Sequence, residues 1–286
     1  MKAAPSFAEH VSLAAGTSIH HIEAGEGSIV LLIHGSLCDY RYWRWQIPAF
    51  SAAFRVVAPS LPGCWPDALT ADIAGRGTEN RDKLSEARAR FNMDRHVQAM
   101  VELCAQLSPS GPVHLVGHSR GAQVALETAL AMPERVGRLV LADPGFPFAG
   151  ESPVQPIHAK IVQKLGTAPL EEVMGEFVDN VNGPGTWRKT VAWFKDMVCA
   201  NAWTLLPQLG DIHRTIDIGP LAQALDCPIL LVGGEFSPRR YGDRIEGLMK
   251  VLPQARHIVV PQAAHGMNLA NARCFNDAVL QFLRKG

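Results

Sequence analysis

The chain has 286 residues, 47% of them hydrophobic, and its 27 Lys and Arg balance its 27 Asp and Glu for a formal net charge of zero. That size and apolar content suit one α/β domain carrying an insertion, and the charge balance removes any electrostatic case for binding nucleic acid or an acidic membrane surface. The 6 cysteines are scattered without a C-x-x-C pair, which argues for reduced thiols over a disulfide framework. With no apolar leader region and no run of membrane-spanning length, the expectation is a cytoplasmic protein.

Residues 7–24 alternate as one or two strands and turn at Gly25-Glu26-Gly27. Ile29–Ile33 is an unbroken apolar run, the mark of a strand buried on both faces, and it leads into His34-Gly35-Ser36-Leu37. A helix rich in aromatics is expected over about 41–53, then a strand at 54–58 closed by Pro59 and Leu61-Pro62-Gly63. Residues 64–90 are polar, contain Gly75 and Gly77, and read as a long loop. A helix over Met93–Leu107 carries one apolar face, with Asp94 as its expected cap.

Val113–His118 reads as a strand entering a sharp turn with Ser119 at its tip, followed by a helix over 122–132. Val136–Ala142 is another apolar strand, closed by Asp143-Pro144-Gly145. Alternation stops over 147–215, which reads as several helices and no strand. It resumes with a strand at 228–233, a helix at about 241–252, a strand at 257–261 and a last helix at about 274–284. Such alternation implies an α/β architecture, a mostly parallel central sheet with helices on both faces. The expected division is a core of residues 1–146 and 216–286 interrupted by a helical cap, 147–215, set over the carboxyl ends of the strands, where open α/β sheets hold ligands.

Gly117-His118-Ser119-Arg120-Gly121 fits the G-x-S-x-G nucleophile elbow in its strand–turn–helix setting. The glycines have a steric reason: the serine backbone is strained and strand and helix approach closely, leaving no room for a β-carbon. Together with His34-Gly35, Asp143 and Ala264-His265-Gly266, this motif makes the chain resemble the α/β-hydrolase superfamily over nearly its whole length. The resemblance implies an α/β-hydrolase fold with a sheet of about eight strands. It also implies a nucleophile, an acid and a histidine in that chain order.

Ser119 is then the nucleophile and His265 the base that a weakly nucleophilic hydroxyl requires. His118 and His34 read as structural or wall residues. The acid departs from the usual pattern, because Ser237 stands where the family's common aspartate aligns, and serine supplies no negative charge to an imidazolium. Asp143, the first residue beyond an apolar strand, is the preferred acid, with Glu235 and then Asp243 as alternatives. The resemblance places oxyanion donors at the Arg120 N–H and at the N–H of Ser36 or Leu37.

Tyr40, Trp43, Trp187 and Trp203 are candidate pocket residues. No metal set stands out: H-E-x-x-H is absent, and His20-His21 fall on opposite faces of a strand. Gly25-Glu26-Gly27 and Gly75-Arg76-Gly77 are not phosphate loops, so no cofactor is expected. The expected function is a serine hydrolase cleaving a small carboxylic ester, lactone or thioester through an acyl-enzyme. Rival expectations are a carbon–carbon bond hydrolase, a cofactor-free haloperoxidase of the same fold, and a receptor-like relative that binds ligand with vestigial chemistry. The partner is a small-molecule substrate, and the protein acts as a monomer or homodimer.

Overall fold

Eight strands form one sheet, in the order β1-β2-β4-β3-β5-β6-β7-β8, in a computed structural model that describes residues 8–67, 81–151, 157–211 and 213–284. They are β1 (Ala8–Ala14), β2 (Thr17–Ala24), β3 (Ile29–Ile33), β4 (Arg55–Pro59), β5 (Val113–His118), β6 (Val136–Ala142), β7 (Ile229–Gly234) and β8 (Ala255–Val260). The β1–β2 and β2–β4 pairs are antiparallel, and every pair from β4 through β8 is parallel. The helices of eight residues or more are α1 (Arg81–Arg90), α2 (Met93–Leu107), α3 (Arg120–Ala131), α4 (Leu170–Asn182), α5 (Ala192–Ala200), α6 (Arg239–Val251) and α7 (Ala272–Leu283).

The unbroken apolar strands are explained by two cores, one on each face of the sheet. Successive side chains of a strand point to opposite faces, so Leu31, Leu115, Leu139, Leu141 and Leu231 pack beneath α2, α3 and α6. Their neighbours Leu32, Val116, Val140, Ala142 and Val232 pack on the other face with Trp43, Phe50 and the Phe275 and Val279 of α7. A polar residue at any of these central positions would be buried whichever way it pointed.

The helical stretch between β6 and β7 has a third cluster of its own, including Ile161, Met174, Phe177, Val198 and Leu205. Its two ends meet at a parallel bridge between Phe148 and Ile216, where Ile216 N–H donates to Pro147 O (2.9 Å) and Ala149 N–H to Ile216 O (2.8 Å). The stretch therefore leaves and rejoins the sheet at one neck.

Several local expectations are corrected. The helix expected over 41–53 is two single turns, Tyr40–Trp43 and Ile47–Phe50, because Pro48 suits a first helical turn and not an interior. The loop expected over 64–90 contains α1, while residues 68–80, with Gly75 and Gly77, lie outside the described residues. The cap of α2 is Asn92, whose side chain accepts from Arg95 N; Asp94 sits inside the first turn. Among the described residues no helix is long and apolar enough to cross a membrane.

Candidate functional site

Ser119 is held at the tip of the β5–α3 turn with φ +55° and ψ −119°, a conformation that costs a non-glycine residue energy. Its backbone is tied on both sides: Ser119 N–H donates to Ala142 O (2.9 Å), and its carbonyl accepts from Ala122 N (3.0 Å). A β-carbon at Gly117 would lie 2.7 Å from Ala122 Cα, and one at Gly121 would run into the carbonyl oxygens of Ile33 and His34. Two bare backbones must meet here for the serine to be presented.

Asp143 is the first residue beyond β6 and takes φ +39°, a region that aspartate tolerates better than most residues. Its N–H continues the ladder to Val232 O (2.8 Å), and its carboxylate is buried at the sheet edge beside the elbow. Oδ2 accepts from His265 Nδ1 (3.0 Å) and from the Ser237 hydroxyl (2.5 Å). The residue at the usual acid position thus bonds to the carboxylate that lies across from it. Burial raises the Asp143 carboxyl to about 7, against the downward pull of the Ser237 hydroxyl.

His265 is 5% exposed, and burial, aided by the Arg240 charge, holds it well below the ordinary imidazole value, at about 3. With Nδ1–H committed to Asp143, Nε2 is the nitrogen free to take a proton. Tyr241 stacks on the imidazole, centroids 4.0 Å apart and planes 14° apart. Gly266 N–H donates to Asn182 Oδ1 (2.9 Å), tying the histidine loop to the end of α4. Ser119 Oγ opens onto the same cavity without a hydrogen bond to His265; such bonds commonly tighten only when substrate is in place.

Glu235 is exposed and accepts from the Gln262 N–H (2.7 Å), and Asp243 is exposed and pairs with Arg239, so neither alternative acid reaches His265. His118 donates from Nε2 to His265 O (2.7 Å) and packs on Tyr42. His34 accepts from Leu61 N–H (3.0 Å) and donates to Gly35 O (2.8 Å), and burial lowers it to about 4, so it braces the loops as a neutral ring.

A cavity of about 1020 Å³ opens around Ser119, His265, Arg120, Ser36 and Leu37. Leu37 holds φ +61° while its side chain is buried in the cluster of the helical stretch, which offsets the backbone strain. α4 and α5 supply one wall through Phe177, Val178, Phe194 and Val198.

None of the four expected pocket aromatics lines this cavity. Tyr40 is buried and bonds Glu9 (3.1 Å), and Trp43 is fully buried in the sheet-side core. Trp187 lies against Gly175 and Trp203 against Gly166, both packed in the cluster of the helical stretch. Tyr42, Trp45, Trp193 and Phe194 take the lining positions instead. Interior packing takes Tyr40 and Trp43, which are buried, while Trp187 and Trp203 are half-buried against the cluster of the helical stretch. Tyr241, Arg240 and Asn182 were missed, since no sequence motif marks residues that reach the site from separate helices. Among the described residues no group of three or more His, Cys, Asp or Glu is arranged to hold a metal ion.

The sequence pattern of the alpha/beta hydrolase family matches residues 30–277. A 2-hydroxy-6-oxo-6-phenylhexa-2,4-dienoate hydrolase of Burkholderia cepacia is 25% identical over 94% of this chain and 92% of its own length. A pimeloyl-[acyl-carrier protein] methyl ester esterase of Vibrio parahaemolyticus is 24% identical over 87% of this chain and 91% of its own. The solved structure of a thermophilic esterase from Thermogutta terrifontis superposes with a TM-score of 0.75 at 22% identity, covering 97% of this chain and 98% of that one. That last likeness is one of fold alone.

Proposed function

Because the chain belongs to the alpha/beta hydrolase family, we propose that it is a serine hydrolase that cleaves a small carboxylic ester through an acyl-enzyme. The observation that carries this reading is the hydrogen bond from His265 Nδ1 to the buried Asp143 carboxylate beside the strained Ser119. His265 Nε2 takes the Ser119 proton as Oγ attacks the carbonyl carbon. The oxyanion is met by the Arg120 N–H at the start of α3, whose terminus adds partial positive charge, and by the N–H of Ser36 or Leu37. His265 then returns the proton to the departing alcohol, and water repeats the sequence to release the acid.

Carbon–carbon bond hydrolysis is the second reading, and the full-length Burkholderia relative favours it: the substrate in that protein's name has ketone and carboxylate groups and no ester. The same serine, base and oxyanion donors serve both reactions. A fluorophosphonate probe tests the shared core. The protein is expected to be labelled, and Ser119→Ala and His265→Ala to lose labelling by a factor of about 10³ or more. An unlabelled parent protein sinks both readings; turnover of phenyl acetate against a vinylogous diketone then separates them.

A further inference from the structure

Eight charged side chains line the cavity, and six are cationic, Arg120, Lys160, Lys189, Arg214, Arg240 and Arg244, against Glu151 and Asp211. In a chain of zero net charge this is a local excess. Three of the cations are neutralised: Arg120 by Asp211, Arg244 by Glu151, and Arg214 by Glu127 and Asp94. Lys160, Lys189 and Arg240 have no acidic partner among the described residues. All three are exposed, at the solvent side of the cavity, and uncompensated cations around a cavity attract anions and raise their local concentration.

Of these three, Arg240 adjoins the candidate base. Its guanidinium carbon lies 4.9 Å from the centroid of Tyr241, and Tyr241 stacks on His265, so the one ring touches both the guanidinium and the imidazole. The same ring borders the nucleophile, because a β-carbon built on Gly145 meets Tyr241 Cε1 at 3.4 Å and Ser119 Oγ at 4.0 Å. Arg240 is steadied by Nη2, which donates to Asn180 O (3.0 Å) and Asn180 Oδ1 (3.2 Å) at the end of α4. Both bonds come from one nitrogen, and the guanidinium also hydrogen-bonds the Tyr241 hydroxyl; a planar fork of five N–H donors still has others to offer a carboxylate.

In the proposed mechanism His265 hands its proton to the leaving group, so the departing fragment lies on the His265 side of the cavity, which is the Arg240 side. We propose that the substrate carries a carboxylate on its leaving group and that Arg240 binds it. This rests on the hydrolytic reading above for the sense of "leaving group", but the anion site itself does not.

Two measurements separate these parts. The first compares kcat/KM for loss of the acetyl group from 4-acetoxybenzoate and from its methyl ester, whose departing phenols are an anion and a neutral molecule of similar size. Arg240→Gln is expected to lower the anion-to-neutral ratio about tenfold, ~1.4 kcal/mol, and Arg240→Lys to restore part of it. An Arg240 that merely fastens α4 would lower thermal stability and slow both esters alike, leaving the ratio where it was, and that result overturns the proposal. So does a ratio change that appears only when the carboxylate is on the acyl side, as in phenyl hydrogen succinate against phenyl acetate. The second measures calorimetric binding of 4-hydroxybenzoate, with methyl 4-hydroxybenzoate as comparator, to Ser119→Ala protein with and without Arg240→Gln. About tenfold weaker binding of the anion alone supports the site even if no ester is turned over, an outcome that would overturn the hydrolytic reading only. Equal binding of the anion with and without the arginine overturns this inference while leaving hydrolysis intact.

Discussion

At the scale of single residues, the Asp143 carboxylate is held between two opposing effects. Burial favours its neutral form, while the Ser237 hydroxyl at 2.5 Å and the Gly234 N–H favour the carboxylate, which also accepts from His265 Nδ1. His118 and His257 also face it, and their positive forms would pull it down, though burial keeps both rings on the neutral side. In the proposed mechanism the ionised form is the active one, since it stabilises the imidazolium formed during attack. Removing the Ser237 hydroxyl takes away a downward pull, so Asp143 stays protonated to higher pH. For Ser237→Ala the acid limb of the kcat/KM profile is therefore expected to move upward by about 1 pH unit, the scale of one charge-assisted hydrogen bond. Because Asp143 and His265 titrate as a pair, the shift belongs to the dyad. Activity lost near pH 7 should return at higher pH; an unmoved acid limb would show that Ser237 does not set the charge of Asp143.

At the scale of elements, the β5–α3 elbow was legible because sterics write directly into its sequence. Only glycine fits at 117 and 121, and an apolar run must precede and a helix follow. The strands were legible for a similar reason, since burial on both faces leaves no polar positions. The two turns at Tyr40–Trp43 and Ile47–Phe50 were not, because their aromatic spacing suits a helix equally well and only tertiary packing decides which rings face inward. The same split decides glycine substitutions. Gly121→Ala drives a β-carbon into the carbonyls of Ile33 and His34, and overpacking of this kind costs about 1–3 kcal/mol or more. Gly242, inside α6, has nothing within 4 Å, so Gly242→Ala should gain up to about 1 kcal/mol from helix propensity. Thermal unfolding is expected to show opposite signs for the two, with Gly121→Ala also losing probe labelling. Equal shifts would mean that the close approach at Gly121 relaxes at no cost.

At the scale of the whole molecule, the helical stretch is tied to the elbow by charge as well as by apolar packing. Arg120 Nη2 donates to Asp211 Oδ2 at 2.6 Å, with the two side chains 8% and 12% exposed, and Arg214 spans from the same stretch to Glu127 on α3. Nothing in the sequence announces these pairs, whose members stand 91 and 87 residues apart. The same is true of Ser237 and Asp143, 94 residues apart, which only the folded sheet edge brings together. The location makes the Arg120 pair consequential, because its backbone N–H is the candidate oxyanion donor while its side chain pairs with Asp211 of the helical stretch. His96 Nδ1 is the other polar group near the guanidinium, at 3.5 Å, and burial together with the Arg120 charge keeps it neutral, so it cannot replace Asp211. Breaking a buried pair by removing one partner leaves an uncompensated charge and costs about 3–5 kcal/mol, whereas replacing both with apolar groups is often close to neutral. Asp211→Asn is therefore expected to be more destabilising than Arg120→Met combined with Asp211→Leu. Hydrogen exchange should rise first in α4 and α5, which lose their charged tie to the elbow, and the strands should hold their protection. If Asp211→Asn costs under about 1 kcal/mol, the pair behaves like a solvated surface bridge, and the helical stretch is held by its apolar cluster and the Arg214–Glu127 pair.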